Sequence, residues 1–358
     1  MATNEDFRVD SFHLNVATGD GAIHLLVGLQ HNGGSPVVHR AVLIDGGYGK
    51  TLNDIISLIK YIQSKYHFPP MVSTLKFDSV VITHWDADHC NGVVALIESS
   101  LVIKKWCEYF KYDSSGAPET VLYAPYWYGK ANEGTAVDGD TRLKRSRSDR
   151  PDGWTEENGN LSVFGLDKIC KLNYSKKGMI GVNFFTNEGP KGVGFQSLTG
   201  RAELIKSMTH EYPVGMFCVC AFGFVIGNPF STIPSTHKFG TSNKDLNDQL
   251  AFERDWPPME AFVIDKLNEK RNHFSIGAII LWTQSGRVSH YFAGDAMYAT
   301  ESAVAKWING EVTSMKLSHH GSDSSSPIDL LTKFKPRTIV VSAGTRHGHP
   351  SMCLFLFM

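Results

Sequence analysis

Short apolar runs recur toward both ends of the chain, and most are followed by turns rich in glycine or acidic residues. Alternating apolar and polar positions are typical of strands, whereas apolar residues three or four positions apart are typical of helices. The predicted strands are residues 7–16, 23–29, 40–44, 77–83, 274–282, 288–293, 312–317 and 338–341. The predicted helices are residues 52–66, 93–98, 300–309 and 327–334. Strands that alternate with helices in this way indicate a layered α/β fold.

The middle of the chain lacks this regularity. Residues 104–271 contain three further predicted strands, at 121–124, 182–185 and 216–226, between long polar segments. Loops of such length are uncommon inside a compact domain unless they serve a function. We therefore predict a single domain over residues 1–358, in which residues 104–271 form an insertion that covers one face and contributes a wall to the substrate site.

Two features of this insertion are candidates for substrate contact. A basic run between Arg142 and Arg150 could hold phosphates, although such a run in a polar loop is more often solvated. Aromatic residues cluster in the same region and could line a pocket or pack within a cap. They are Tyr123, Tyr126, Trp127, Tyr128 and Trp154.

Composition narrows the class of protein. The chain has 358 residues, of which 42% are hydrophobic and 20% charged, so it can bury a large core. Its net charge of −1 provides no global basic field for a polyanion. We find no signal-peptide or membrane-spanning pattern, and the six cysteines form no C-x-x-C pair. These features predict a cytoplasmic protein with reduced thiols and no membrane partner, and they leave the oligomeric state open.

Residues of metal-binding type follow directly on the apolar strand at 77–83. The segment T-H-W-D-A-D-H places His84, Asp86, Asp88 and His89 within six positions. Imidazole and carboxylate groups suit zinc, manganese or iron. Because four such groups in one segment more easily serve two ions than one, we predict a metal centre at this strand end.

The last three predicted strands also end in candidate site residues. Asp295 ends one in the segment F-A-G-D-A, and the pair His319 and His320 follows the next in K-x-x-H-H-G-S-x-x-S. His347 and His349 follow the last strand, in H-G-H-P. Strand ends that carry such groups in succession predict one shared site.

Together these segments resemble the metallo-β-lactamase superfamily, whose signature is H-x-H-x-D-H. Here Asp86 replaces the second histidine of the signature, which is similar to the soluble hydrolase domain of DNA-uptake competence proteins. The segments N-V-x-x-G-D, L-I-D-G-G, F-A-G-D-A, H-H-G-S-x-x-S and G-H-P also match, in the same order, between Asn15 and Pro350. The resemblance implies a four-layer αββα sandwich, with two mixed sheets face to face, helices outside, and the ligands at one edge.

The resemblance assigns the candidate ligands to a centre of two metals. His84 and Asp86 would hold the first ion. Asp88 and His89 would hold the second, together with one of the two histidines of the H-H-G-S turn, and spacing does not decide which. Asp295 would bridge two ions about 3.5–4 Å apart.

Other roles are implied for residues around the metals. Asp45 would support the metal-binding segment by hydrogen bonding. Asp88 could orient the attacking water, and His349 could protonate the leaving group or contact the oxyanion. No motif supplies the lone histidine that completes the first site in the wider superfamily. The positional candidates for it are His210, His237 and His273.

The implied activity is metal-dependent hydrolysis with one or two zinc ions, or with manganese or iron instead. The near-neutral charge and the aromatic insertion favour a small molecule with a lactone, ester, thioester or amide bond. The competence resemblance favours a phosphodiester in nucleic acid, which is the alternative to the small molecule that we predict. A metal-binding protein without hydrolysis is a further alternative, and an iron-dependent oxidoreductase is the last.

Overall fold

The structure is a computed structural model, and two six-stranded sheets organise it. It describes residues 6–16, 19–30, 33–68, 74–84, 86–102, 109–111, 120–125, 181–185, 213–221, 224–225, 272, 275–282, 285–307, 311–344 and 348–351.

The first sheet is formed by the N-terminal strands in sequence order. These are β1 (Asp6–His13), β2 (Ala22–Leu29), β3 (Val37–Ile44), β4 (Ser79–Val81), β5 (Val121–Pro125) and β6 (Gly181–Phe185). β1, β2 and β3 pair antiparallel, whereas β3 to β6 run parallel. Helices α1 (Leu52–Lys65) and α2 (Ala87–Val102) pack on this sheet, and α1 buries Ile55, Ile59 and Ile62 at helical spacing.

The second sheet has the order β12-β11-β10-β9-β7-β8. Its strands are β7 (Val214–Ala221), β8 (Phe224–Val225), β9 (Gly277–Trp282), β10 (Val288–Phe292), β11 (Val312–Lys316) and β12 (Thr338–Val340). β10, β11 and β12 run parallel. Helices α3 (Tyr298–Trp307) and α4 (Ile328–Phe334) contribute Val304, Leu330 and Phe334 to the core of this sheet.

These elements confirm the predicted α/β class with two sheets. The strands predicted within residues 104–271 are present as β5, β6 and the β7–β8 pair, which belong to the two sheets. The basic run at 142–150 lies outside the described residues. So do Tyr126, Trp127, Tyr128, Trp154, His210, His237, His273 and His347. None of the described helices is long and apolar enough to cross a bilayer.

Three histidines meet between the sheets. Successive side chains on a strand point to opposite faces, so His24 faces away from the helices that cover Ile23 and Leu25. Its ring centroid lies 4.7 Å from that of His290 on β10, and the centroid of His13 lies 5.5 Å from that of His290. The inner faces of both sheets therefore carry imidazoles, which the apolar pattern of these strands did not predict.

Acid should lower the free energy of unfolding because it protonates these buried histidines. Burial, reinforced by neighbouring imidazoles, lowers the pKa of His24 well below its usual value and lowers that of His290 to about 3. Such a group stabilises the fold above its unfolded pKa of about 6.5, and this stabilisation is lost as the pH falls below that value. At about pH 4, His290 alone should account for a loss of about 3 kcal/mol.

His290→Phe should therefore lose less stability than the wild type between about pH 6.5 and about pH 4. Urea unfolding at each pH measures the difference. The control is His67→Gln, because the side chain of His67 is exposed. The same pH dependence in the wild type and in His290→Phe would show that the buried imidazoles do not govern acid stability.

Candidate metal centre

The candidate ligands meet where parallel strands of both sheets end. Asp45 directly follows β3, and His84 lies three residues beyond the end of β4. Asp295 lies three residues beyond β10, and His320 lies four beyond β11. Since the carboxyl ends of adjacent parallel strands share an edge, the topology brings these groups together.

The start of α2 lies tightly against the end of β3. The N–H of Gly46 donates to the carbonyl of His89 over 2.8 Å, and the N–H of Gly92 donates to that of Gly47 over 2.8 Å. A Cβ atom on Gly92 would overlap the carbonyl oxygen of Gly46. α2 starts at Ala87, earlier than the predicted position 93, so Asp88 and His89 lie in the first helical turn rather than in a loop.

Asp45 holds the segment between Thr83 and His89 by hydrogen bonds, as the resemblance implied. Its carboxylate accepts hydrogen bonds from the N–H of Thr83 at 2.8 Å and the hydroxyl of Thr83 at 2.6 Å. It also lies 2.9 Å from Nδ1 of His89. Because the Thr83 hydroxyl donates to Asp45, it accepts at 3.2 Å from Nδ1 of His84. Both rings therefore carry a proton on Nδ1, which leaves Nε2 available as a ligand atom.

His320 is oriented in the same way from the second sheet. Its Nδ1 donates over 2.8 Å to the carbonyl oxygen of Ser342, just beyond β12. His319 and His320 both have positive φ angles, of 48° and 55°. This conformation is uncommon for residues other than glycine and often marks functional sites. The turn thus points Nε2 of His320 toward the same centre.

Asp295 is the point on which the three rings converge. Its carboxylate oxygens lie 3.7 Å from Nε2 of His84, 3.3 Å from Nε2 of His89 and 3.6 Å from Nε2 of His320. Two ligand atoms bound to one tetrahedral zinc ion at about 2.0–2.2 Å lie about 3.3–3.6 Å apart. Three of these atoms are buried and have no hydrogen-bond partner: Nε2 of His84, Nε2 of His89 and Oδ1 of Asp295. These atoms fit a metal ion.

Two further carboxylates flank this convergence. Oδ2 of Asp86 lies 3.6 Å from Nε2 of His84, and Oδ2 of Asp88 lies 3.3 Å from Nε2 of His320. The structure therefore brings together His84, Asp86, Asp88, His89, Asp295 and His320, all six of which the sequence had marked as candidate ligands.

The charges of the centre suit a cation. Burial alone would lower the pKa of the His89 and His320 rings, but Asp295 and its neighbouring carboxylates raise both values. Burial alone would raise the pKa of Asp88 and Asp295, but His89 and His320 lower both values. The carboxylates and imidazoles of the centre thus each favour the charged form of the other.

His319 and His349 lie at the rim of the centre. Nδ1 of His319 is 3.2 Å from the hydroxyl of Ser324, and its Nε2 is 3.3 Å from the side-chain nitrogen of Asn272. Nε2 of His319 lies 4.0 Å from Asp295, and its ring centroid lies 5.6 Å from that of His349. Both nitrogens of His319 thus have other partners, so the geometry favours His320 as the ligand of the pair.

Several residues at the centre were not marked by the sequence. Asp20 and Lys316 form a buried ion pair behind the rings of His89 and His320. The hydroxyl of Ser275 accepts from the N–H of Asp295 at 3.1 Å. Asp20 belongs to the N-V-x-x-G-D segment, and Lys316 belongs to the K-x-x-H-H-G-S segment. Their positions in these two segments could have marked them as residues of the centre.

Comparisons with known proteins add little to this description. No family profile matches the chain, and no curated protein matches it. A solved structure with partial similarity is the mono-zinc form of the metallo-β-lactamase FIM-1 from Pseudomonas aeruginosa. The identity is 16%, the match covers 35% of this chain and 45% of that enzyme, and the TM-score is 0.15. The matched part thus spans less than half of the enzyme's length, and a score this low does not establish a shared fold.

Proposed function

We propose that this protein is a metal-dependent hydrolase of the metallo-β-lactamase superfamily, with the four-layer αββα arrangement of that superfamily. The observation that carries the proposal is the convergence of three Nε2 atoms on Asp295, within 3.3–3.7 Å. Each of these rings is oriented through Nδ1 by Thr83, Asp45 or Ser342. Such partners behind metal-binding histidines fix the tautomer that can coordinate a metal.

The ligands divide between two ions. His84 and Asp86 would hold one ion, and Asp88, His89 and His320 would hold the other. Asp295 lies within reach of both groups and would be shared. The mixture of imidazole and carboxylate suits zinc, with manganese or iron as alternatives. A bound ion of this kind polarises a carbonyl or phosphoryl oxygen and makes a bound water more acidic.

The protein's own residues would handle protons and position the substrate. Asp88, on the first turn of α2, would orient the attacking water. His349, beside His319 at the rim, would donate a proton to the leaving group. Carboxylate and imidazole groups suit these two roles.

We propose an uncharged small molecule with a lactone, ester, thioester or amide bond as the substrate. Lys316, a cation beside the centre, is already paired with Asp20. Burial lowers the pKa of His319, which favours a neutral ring at the rim. Both features favour an uncharged substrate. The alternative is phosphodiester hydrolysis, which the competence-type segments favour.

Metal analysis and a substrate panel test this proposal. The purified full chain should bind about one to two zinc, manganese or iron ions and hydrolyse a lactone, ester, thioester or amide. Labelled DNA and RNA at low salt test the alternative. Asp295-dependent cleavage of nucleic acid at about 1 per second or faster would favour the phosphodiesterase. Failure to bind any of these metals on titration would refute the hydrolase proposal.

Asp45→Asn should weaken metal binding about 10–100-fold. The amide can still accept from Thr83, but its NH₂ group would then face Nδ1 of His89 and favour the tautomer with the proton on Nε2. That proton occupies the atom that would coordinate the metal. Chelator competition measures the loss.

The matched control for this substitution is Asp78→Asn. The Asp78 carboxylate pairs with Lys111 at 2.6 Å and with Arg40 at 3.5 Å, outside the centre. Its loss should leave metal affinity unchanged. Equal affinities in Asp45→Asn and the wild type would show that Asp45 does not set the His89 tautomer.

A further inference from the structure

A buried ion pair joins the two sheets directly behind the metal centre. Asp20 lies in the turn before β2, and Lys316 is the last residue of β11. The ammonium group of Lys316 donates to Oδ2 of Asp20, and the two residues are only 5% and 7% exposed. Lysine is rarely buried without a partner, and here Asp20 is that partner.

Asp20 is close enough to the centre to be a metal ligand. Asp20, His89, Asp295 and His320 each offer a ligand atom, and these four atoms lie within 4.8 Å of one another. Oδ1 of Asp20 is buried without a hydrogen-bond partner. However, the ring atoms nearest to Asp20 are Nδ1 of His89 and Nδ1 of His320, each at 3.7 Å.

Those two Nδ1 atoms already bind other groups. Nδ1 of His89 lies 2.9 Å from the carboxylate of Asp45, and Nδ1 of His320 donates to Ser342. Asp20 therefore faces the supported side of both rings, and its salt bridge with Lys316 keeps it there. The free Nε2 atoms converge on Asp295 instead. The ammonium group of Lys316 thus neutralises the negative charge of Asp20, which a metal ion would otherwise neutralise.

We propose that Lys316 is an internal counter-ion of the metal centre that withholds Asp20 from coordination. This inference rests on the proposed function only in that the centre binds a metal. Additional anionic ligands tighten cation binding. They also reduce the positive charge with which an ion polarises a substrate. Lys316 would therefore keep the metal more weakly bound and a stronger Lewis acid than the full set of carboxylates would allow.

Lys316→Met should bind Zn²⁺ on the order of tenfold more tightly than the wild type. The substitution removes a positive charge at the centre and frees Asp20 to coordinate. The variant is purified with zinc, and its affinity is measured by chelator competition, so the metal-free form need not be isolated. Metal analysis gives the stoichiometry.

Two further variants separate the charge effect from loss of packing. Asp20→Asn in the Lys316→Met background removes the freed carboxylate, and most of the gain in affinity should disappear. Lys111→Met removes the lysine of an ion pair with Asp78 away from the centre, and its zinc affinity should equal that of the wild type.

Unchanged or weaker zinc binding by Lys316→Met would overturn the inference. Failure of that variant to fold even with zinc would also overturn it, because coordination by Asp20 should stabilise the metal-bound form. Failure of the wild type to bind zinc, manganese or iron would instead refute the proposed function, so the two failures are distinguishable.

Discussion

Asp295→Ala should abolish metal binding and hydrolysis together while the fold survives. The carboxylate of Asp295 is the group within 3.3–3.7 Å of Nε2 on His84, His89 and His320. Without it, the three rings lose the carboxylate on which their Nε2 atoms converge, and a bound metal would lose the ligand that both groups of residues share. Loss of a metal that contributes several kcal/mol to the transition state lowers the rate on the order of a thousandfold or more.

The fold should tolerate this substitution because the main-chain contacts of Asp295 remain. Its N–H can still donate to Ser275, and the rings of His84, His89 and His320 keep their own partners at Nδ1. Metal analysis and far-ultraviolet circular dichroism provide the two measurements. Asp323→Ala is the matched control, since Asp323 is exposed in the H-H-G-S-x-x-S segment. Full metal content in Asp295→Ala would show that the ion does not depend on the converging carboxylate.

The positions of the candidate ligands could be predicted because each follows a strand whose local pattern is strong. The apolar run before His84 and the apolar strands before Asp295 and His320 predict both the strands and where each strand ends. Because neighbouring strands run parallel, their carboxyl ends lie at the same edge of a sheet. The role of Asp45 could also be anticipated, although only the structure shows that it links Thr83 to His89.

The remaining features depend on contacts between distant parts of the chain. Asp20 and Lys316 are 296 positions apart, so local patterns could not pair them. His24 and His290 lie on strands that are apolar on both faces. Because apolar and polar residues do not alternate there, the sequence does not show which face of the strand points inward. The strands within residues 104–271 gave short signals between long polar segments, so their existence could be predicted but not their places in the two sheets.

The two histidines of the H-H-G-S turn should behave differently when each is replaced by alanine. His320 is buried, its Nδ1 is held by Ser342, and its Nε2 lies 3.3 Å from Asp88 and 3.6 Å from Asp295. His320→Ala should therefore lose the ion that Asp88 and His89 would share. His319 has 25% of its side chain exposed, and both its nitrogens have partners outside the centre.

His319→Ala should retain the metal content of the wild type and change the kinetics instead. Because His319 adjoins His349 at the rim, its loss would remove a contact to the proposed substrate, so KM should rise while metal occupancy stays unchanged. Zinc stoichiometry and steady-state kinetics of both variants, purified in parallel, measure this difference. If His319→Ala loses an ion while His320→Ala keeps its full complement, the assignment of the ligand within the pair is reversed. If neither substitution alters metal content, the turn does not supply a ligand and the second ion must depend on Asp88, His89 and Asp295 alone.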